Sequence, residues 1–243
     1  MTAGRSARKA LLQRMRAVVD THAQRTAIHS PGESLSYFDF ARLVGRLMGA
    51  LGNPKRTSSG PVGLLLDRSA MAYAAMWAAI ALGRPYVPLN AKYPPRRLRS
   101  ILRQASIDAV VCTQANRDIA IGLGIAPGNV VVAETDMPDK ELHGGGTDWN
   151  EGDEDQGIAY ILFTSGSTGE PKGVPISYDN LGSFINNLES IIRYRPEDVC
   201  SQFCDLSFDM SVHEIYLALL NGCALCPARP IDLFNPARLV VET

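Results

Sequence analysis

Residues 158–173 read Ile158-Ala159-Tyr160-Ile161-Leu162-Phe163-Thr164-Ser165-Gly166-Ser167-Thr168-Gly169-Glu170-Pro171-Lys172-Gly173. The apolar run 158–163 predicts a strand of the buried type that a parallel sheet requires. The composition then changes: the stretch 163–173 holds four hydroxyl residues, three glycines and one lysine. Glycines let the backbone turn and let a ligand approach the amides closely. Hydroxyls and amide N–H groups donate to phosphate oxygens, and a lysine suits a polyphosphate. The loop 164–169 therefore points to phosphate. It is not the P-loop of common ATPases, which needs Gly, four residues, then Gly-Lys and a Ser or Thr. Here Lys172 stands three places after Gly169 and is followed by Gly173. On composition alone, a flexible Ser/Gly surface loop is the competing reading.

Working outward, strands and helices alternate. Upstream, helices are expected over 36–51, with Ser36 and Asp39 spaced as a capping box, over 70–82, closed by Gly83, and over the basic stretch 95–104. Strands are expected at 61–66, 86–89, 109–112 and 130–133. Downstream come a short strand at 173–176, a helix at 177–192, a strand at 199–203, a helix at 211–220 and a strand at 223–226. A last helix is expected over 235–241. Strands separated by helices imply an α/β fold of layered, largely parallel sheets covered by helices. The expected organisation is a first α/β part at 1–133, an acidic Gly-rich loop at 134–156, and a second α/β part at 157–243. The chain stops inside a predicted helix, so an incomplete chain is expected.

Composition narrows the classes of function. The 243 residues are 46% hydrophobic and 20% charged, with a formal net charge of −1. That suits a globular protein with a sizeable core and gives no general attraction to nucleic acid or an acidic membrane. No run is long and apolar enough to span a bilayer. The opening residues carry Arg5, Arg8, Lys9, Arg14 and Arg16 before the first acid, Asp20. An organelle transit peptide has this bias, but Leu11, Leu12, Met15, Val18 and Val19 fall at helical spacing and favour an amphipathic helix. Five cysteines without a secretory signal read as free thiols and a cytoplasmic setting. Cys200, Cys204, Cys223 and Cys226 have spacing compatible with a zinc site, yet they fall on a strand–helix–strand pattern where buried free cysteine is common.

The stretch 160–173, YILFTSGSTGEPKG, closely resembles the signature loop of the adenylate-forming superfamily, which includes acyl-CoA synthetases, luciferases and peptide synthetase adenylation domains. Other segments agree in order. Leu35-Ser36-Tyr37 with Phe40 resembles the early LTYxEL segment. The stretch 82–94, LGRPYVPLNAKYP, resembles GxAYVPLDPxYP, with Arg84 standing where a small residue is common. The resemblance implies that the loop, here Thr164, Ser165, Gly166, Ser167, Thr168, Gly169 and Lys172, binds the β and γ phosphates of ATP. It implies attack of a carboxylate on the α phosphorus, giving an acyl-adenylate and pyrophosphate. Two anions must then be brought together, with Mg2+ helping to offset their charge.

The segment Phe208-Asp209-Met210-Ser211 resembles the FDxS segment of amino-acid adenylation domains, and of D-alanine carrier-protein ligases. In that resemblance Asp209 binds the α-ammonium of an amino acid, while Met210 and His213 line its side-chain pocket. The acceptor implied is the phosphopantetheine thiol of a carrier protein or a similar nucleophile. A plainer reading remains open. Ser211 and Glu214 have capping-box spacing, Asp209 suits a helix N-terminus, and Met210 and His213 can be packing residues. Acyl- or aryl-CoA synthetases and a non-catalytic remnant are the alternative functions. The resemblance covers only the front of the family's length. The metal-binding Glu, the ribose-binding Asp and the catalytic Lys of the family lie in later motifs, so no catalytic or metal-binding residue is assigned within this span.

Overall fold

The computed structural model describes residues 3–30, 33–53, 59–134, 157–165 and 170–229. Helix α1 (Ala3–His22) leads into strands β1 (Thr26–Ser30) and β2 (Glu33–Ser36) and helix α2 (Tyr37–Leu51). Then follow β3 (Val62–Leu65), α3 (Ala70–Ala81), β4 (Tyr86–Pro88), α4 (Pro95–Gln104), β5 (Ala109–Cys112), α5 (Arg117–Gly122) and β6 (Val130–Val132). The described chain closes with β7 (Ile158–Ser165), β8 (Pro171–Ser177), α6 (Tyr178–Glu189), β9 (Val199–Gln202), α7 (Met210–Leu220) and β10 (Ala224–Pro227).

One sheet has six strands in the order β6-β5-β3-β4-β7-β8, and a second has four in the order β2-β1-β10-β9. All pairs in the first are parallel except β7 with β8, and all in the second are parallel except β1 with β2. The parallel strands β3, β4 and β5 of the larger sheet are buried on both faces, as helical crossovers require, while the antiparallel edge strand β8 is largely exposed. Leu64, Tyr86, Val111 and Leu162 face a core shared with α2, α3 and α7. Their neighbours Leu65, Val87, Val110 and Phe163 face a second core under α4 and α5. This is the layered, largely parallel α/β architecture expected from the alternation of elements.

Local signals explain most element boundaries. Ser36 Oγ accepts from the Asp39 N–H at 3.1 Å and donates to the Asp39 carboxylate at 2.7 Å, so the start of α2 is capped as its spacing predicts. Helix α3 ends where Gly83 takes φ 69°, a conformation that suits glycine. Helix α1 places Leu12 and Met15 fully inside the core. Its Arg8 donates to the Ile80 and Ala81 carbonyls at 3.3 and 3.2 Å and so ties α1 to the C-terminal end of α3.

The structure departs from expectation in several places, among them α6, which ends at Glu189 and not at 192. β1 and β2 lack a clear apolar alternation, and β1 forms by pairing with β10 at Ile28↔Leu225, far along the chain. Residues 114–122 form short helical turns too brief to show a period. β8 starts at Pro171, because pairing along the whole of β7 extends it beyond the predicted 173–176. Helix α7 begins at Met210, with Asp209 as its N-cap. Ser211 does not cap it: its Oγ donates to the Phe208 carbonyl at 2.6 Å. Glu214 instead accepts from the Phe203 and Cys204 N–H groups at 3.2 and 3.1 Å and fixes the turn before the helix. The acidic Gly-rich loop and the expected helix at 235–241 lie outside the described residues, Glu134 excepted.

Candidate functional site

A cavity of about 610 Å³ opens along the β7–β8 hairpin, against the start of α4 and the loop before α7. The hairpin of β7 and β8 contributes Tyr160, Leu162, Thr164, Val174 and Ile176 to the lining. Tyr93 and Arg97 come from the start of α4 and the turn before it, and Ser207, Phe208 and Asp209 from the loop before α7.

Strand register orders one wall. Tyr160 pairs with Ile176, Leu162 with Val174, and Thr164 with Lys172. Alternate residues share a face, so these pairs form three successive rungs on the cavity side of the hairpin. Four residues of strand separate the first rung from the last, about 13 Å at ~3.3 Å per residue. The candidate cation Lys172 therefore stands at one end of the wall. Its exposed side chain is borne by a strand, and the tip of the hairpin carries the rest of the expected phosphate loop. Ser165 ends β7, and residues 166–169, including Gly166, Ser167, Thr168 and Gly169, lie outside the described residues.

Asp209 belongs to the other end. Its Oδ1 accepts from the Met210 N–H at 2.9 Å, and its charge is felt at Tyr160. Burial first, and the Asp209 carboxylate second, push the Tyr160 phenol up to about 12, so the phenol stays protonated at neutral pH. Tyr160 stacks on Tyr86 with ring centroids 5.4 Å apart, and Tyr86 accepts a hydrogen bond from Tyr216 of α7 at 3.1 Å. The strand and the helix that supply the two ends of the cavity are thus tied by one aromatic group.

Glu170, just before β8, is held by α4. Ser100 donates to Glu170 at 2.9 Å, and Arg96 approaches the same carboxylate at 3.8 Å. Gly173 lies under the Phe163 ring, and a Cβ there would stand 2.9 Å from Phe163 Cζ. A side chain at 173 would push on the strand that leads into the loop.

The cavity brings Thr164 and Asp209 together and does not include the other two expected substrate residues. Met210 is 57% exposed, on the first turn of α7. His213 Nε2 and the Tyr194 hydroxyl are hydrogen-bonded at 3.1 Å. Sequence reasoning did not single out Tyr93, Ser207 or Arg97 as site residues. The Tyr93 and Ser207 hydroxyls are bonded at 3.1 Å, and Ser207 Oγ donates to Asp205 at 2.6 Å. Asp205 also accepts from Asn90 Nδ2 at 2.8 Å. The one available signal was the tyrosine in the 82–94 segment. The five cysteines are free, and Cys223 Sγ donates to the Arg195 carbonyl at 3.0 Å. Among the described residues no group of three or more His, Cys, Asp or Glu is placed to hold a metal. No helix among them is long and apolar enough to cross a membrane.

Comparison with known proteins gives concordant results. The family model described as AMP-binding enzyme matches residues 15–243. Syringomycin synthase SyrB1 of Pseudomonas syringae pv. syringae is 30% identical over 199 residues, covering 82% of this chain and 31% of that protein. Tyrocidine synthase 1 of Brevibacillus parabrevis is 25% identical over 217 residues, covering 89% of this chain and 20% of that protein. The solved adenylation domain AlmE of Vibrio cholerae, in complex with glycyl-adenosine-5'-phosphate, has the same fold. It superposes with a TM-score of 0.80 at 21% identity over 100% of this chain and 48% of AlmE. The N-terminal subdomain of Klebsiella oxytoca NpsA, in complex with 3-hydroxyanthranilyl-AMSN, superposes with a TM-score of 0.72 at 24% identity, covering 94% of this chain and 56% of that one. The chain thus spans about half or less of the first relatives it matches.

Proposed function

The chain belongs to the AMP-binding enzyme family, and from that premise we propose that it contributes to amino-acid adenylation: ATP and an amino acid give an aminoacyl-adenylate and pyrophosphate. The observation that carries this reading is one cavity lined by both Thr164, at the start of the phosphate loop, and Asp209, with Lys172 on the rung of Thr164. Asp209 pairs with the substrate ammonium and leaves the carboxylate free to attack. Thr164, Ser165, Lys172 and the loop 166–169 take the phosphates. The work of these groups is to position two anions and offset their charge.

A divalent cation such as Mg2+ would accompany ATP. The activated acid is then passed to a carrier-protein thiol or a similar nucleophile. The 243-residue span corresponds to 48% of AlmE and 31% of SyrB1.

A second reading, activation of an aryl acid, is favoured by the lining of Tyr93, Tyr160, Leu162 and Phe208. ATP–pyrophosphate exchange in the full-length protein, supplied with single amino acids and with benzoates, separates the two. Exchange with an amino acid and none with its deaminated analogue is expected. Exchange with benzoates alone overturns the amino-acid reading.

A further inference from the structure

One cation in the cavity has no role in the reading above. Arg97 is half-buried and lines the cavity beside Thr164, Ser207 and Asp209. Its guanidinium carbon lies 4.1 Å from the centroid of the Tyr93 ring, which fixes its plane. Tyr93 is itself held, through Ser207 and Asp205, by the chain of hydrogen bonds that ends at Asn90. The guanidinium is therefore placed by four side chains from two separate loops.

What this arrangement omits is an anion. Arg97 Nε is buried and has no hydrogen-bond partner among the described residues. Carboxylates on the elements that meet here make other contacts. Glu170 takes Ser100 at 2.9 Å and Arg96 at 3.8 Å. Asp205 takes Asn90 and Ser207, and Asp209 Oδ1 takes the Met210 N–H. A buried N–H without an acceptor costs stability, and a guanidinium presents its donors as a fork that matches a carboxylate or phosphate. An arginine stacked in place on the wall of a ligand-sized cavity is set to offer its remaining guanidinium N–H groups to an oxyanion.

We propose that Arg97 is a ligand-contacting residue that binds an oxyanion of the reacting pair, the substrate carboxylate or a nucleotide phosphate, between the Asp209 and Lys172 ends of the cavity. This rests on the adenylation reading for the identity of the ligands and not for the existence of the site. With Asp209 it makes a cavity of mixed charge, which a zwitterionic substrate complements at both ends. With Lys172 it supplies a second positive group against the repulsion between a carboxylate and a polyphosphate.

The test is Arg97→Gln and Arg97→Lys in the full-length protein, read as KM for the acid, KM for ATP and kcat in pyrophosphate exchange, with melting temperature alongside. Loss of a charge-assisted contact predicts a rise of about tenfold or more in one KM for Arg97→Gln, and partial recovery in Arg97→Lys, which keeps the charge and loses the fork. A rise confined to the acid identifies the carboxylate, and one confined to ATP identifies the phosphate. Unchanged KM values and kcat in a folded Arg97→Gln protein overturn the proposal. So does an activity loss that only tracks a lower melting temperature. If no acid supports exchange in the unaltered protein, the adenylation reading has failed instead. Calorimetric binding of ATP, inorganic pyrophosphate and the free carboxylic acids to the unaltered and Arg97→Gln proteins then decides the role of Arg97: weaker binding of any of them by the variant supports it, and equal binding of all overturns it.

Discussion

Thr164 and Lys172 stand directly opposite each other across the antiparallel β7–β8 pair, on the hairpin face that also carries Tyr160 and Leu162. The hydroxyl that opens the expected phosphate loop and the lysine that follows it are therefore neighbours on a strand ladder, although the sequence reads them as opposite ends of a loop. A functional group on a strand is placed more sharply than one on a loop.

That placement predicts the behaviour of Lys172→Ala. The side chain is exposed and packs into no core, so the melting temperature should change little, within about 0.5 kcal/mol of stability. Pyrophosphate exchange by the full-length protein should fall by roughly 10²-fold, the scale for losing one charge-stabilising contact. A parallel loss of stability and rate would mark Lys172 as structural.

Asp209→Asn separates recognition from capping. Asparagine keeps an oxygen for the Met210 N–H and remains a good N-cap, so α7 should be preserved. The specificity constant for the amino acid should fall by about 10²-fold, a few kcal/mol. The same acid without its amine should suffer far less. Equal losses on both substrates would remove Asp209 from the amine site.

Gly173→Ala places a methyl group 2.9 Å from Phe163 Cζ. Overpacking of this kind costs about 1–3 kcal/mol and should lower the melting temperature. Phe163→Leu alone should also destabilise, but the double variant should recover part of the loss, because the smaller side chain makes room. Additive losses in thermal denaturation would show that the ring does not impose the glycine.

Acid should weaken the seam between α1 and α6. Glu189 is partly buried, which by itself raises its pKa, yet hydrogen bonds from Arg14 and Asn221 and the Arg14 charge outweigh that and hold it below the usual glutamate value. A carboxyl with a depressed folded pKa binds its proton less readily when folded. Its stabilisation is therefore complete above the unfolded glutamate value of about 4.3 and is lost as pH falls through the lower folded value. Glu189→Gln should flatten the stability profile in that acidic window. An unchanged profile would show that the pair contributes nothing to folding.

Sequence alone determined the local part of this protein. The apolar run 158–163, the Ser36–Asp39 cap, Gly83 and the bounds of α4 and β5 are read correctly because each depends on residues within a turn or two. The chemistry of the 163–173 stretch is legible for the same reason: hydroxyls, glycines and a lysine carry their bonding capacity wherever they are placed. Tertiary structure alone decided which distant groups meet. β1 exists because β10 pairs with it, and β8 is long because β7 offers a full ladder. The cavity joins Tyr160, Arg97 and Asp209 from three elements separated in the chain, and Arg97 rests on a tyrosine ring held by the loop before α7. Strand pairing, stacking and burial are energies between groups remote in sequence, and such groups acquire a common neighbourhood only when the chain has folded.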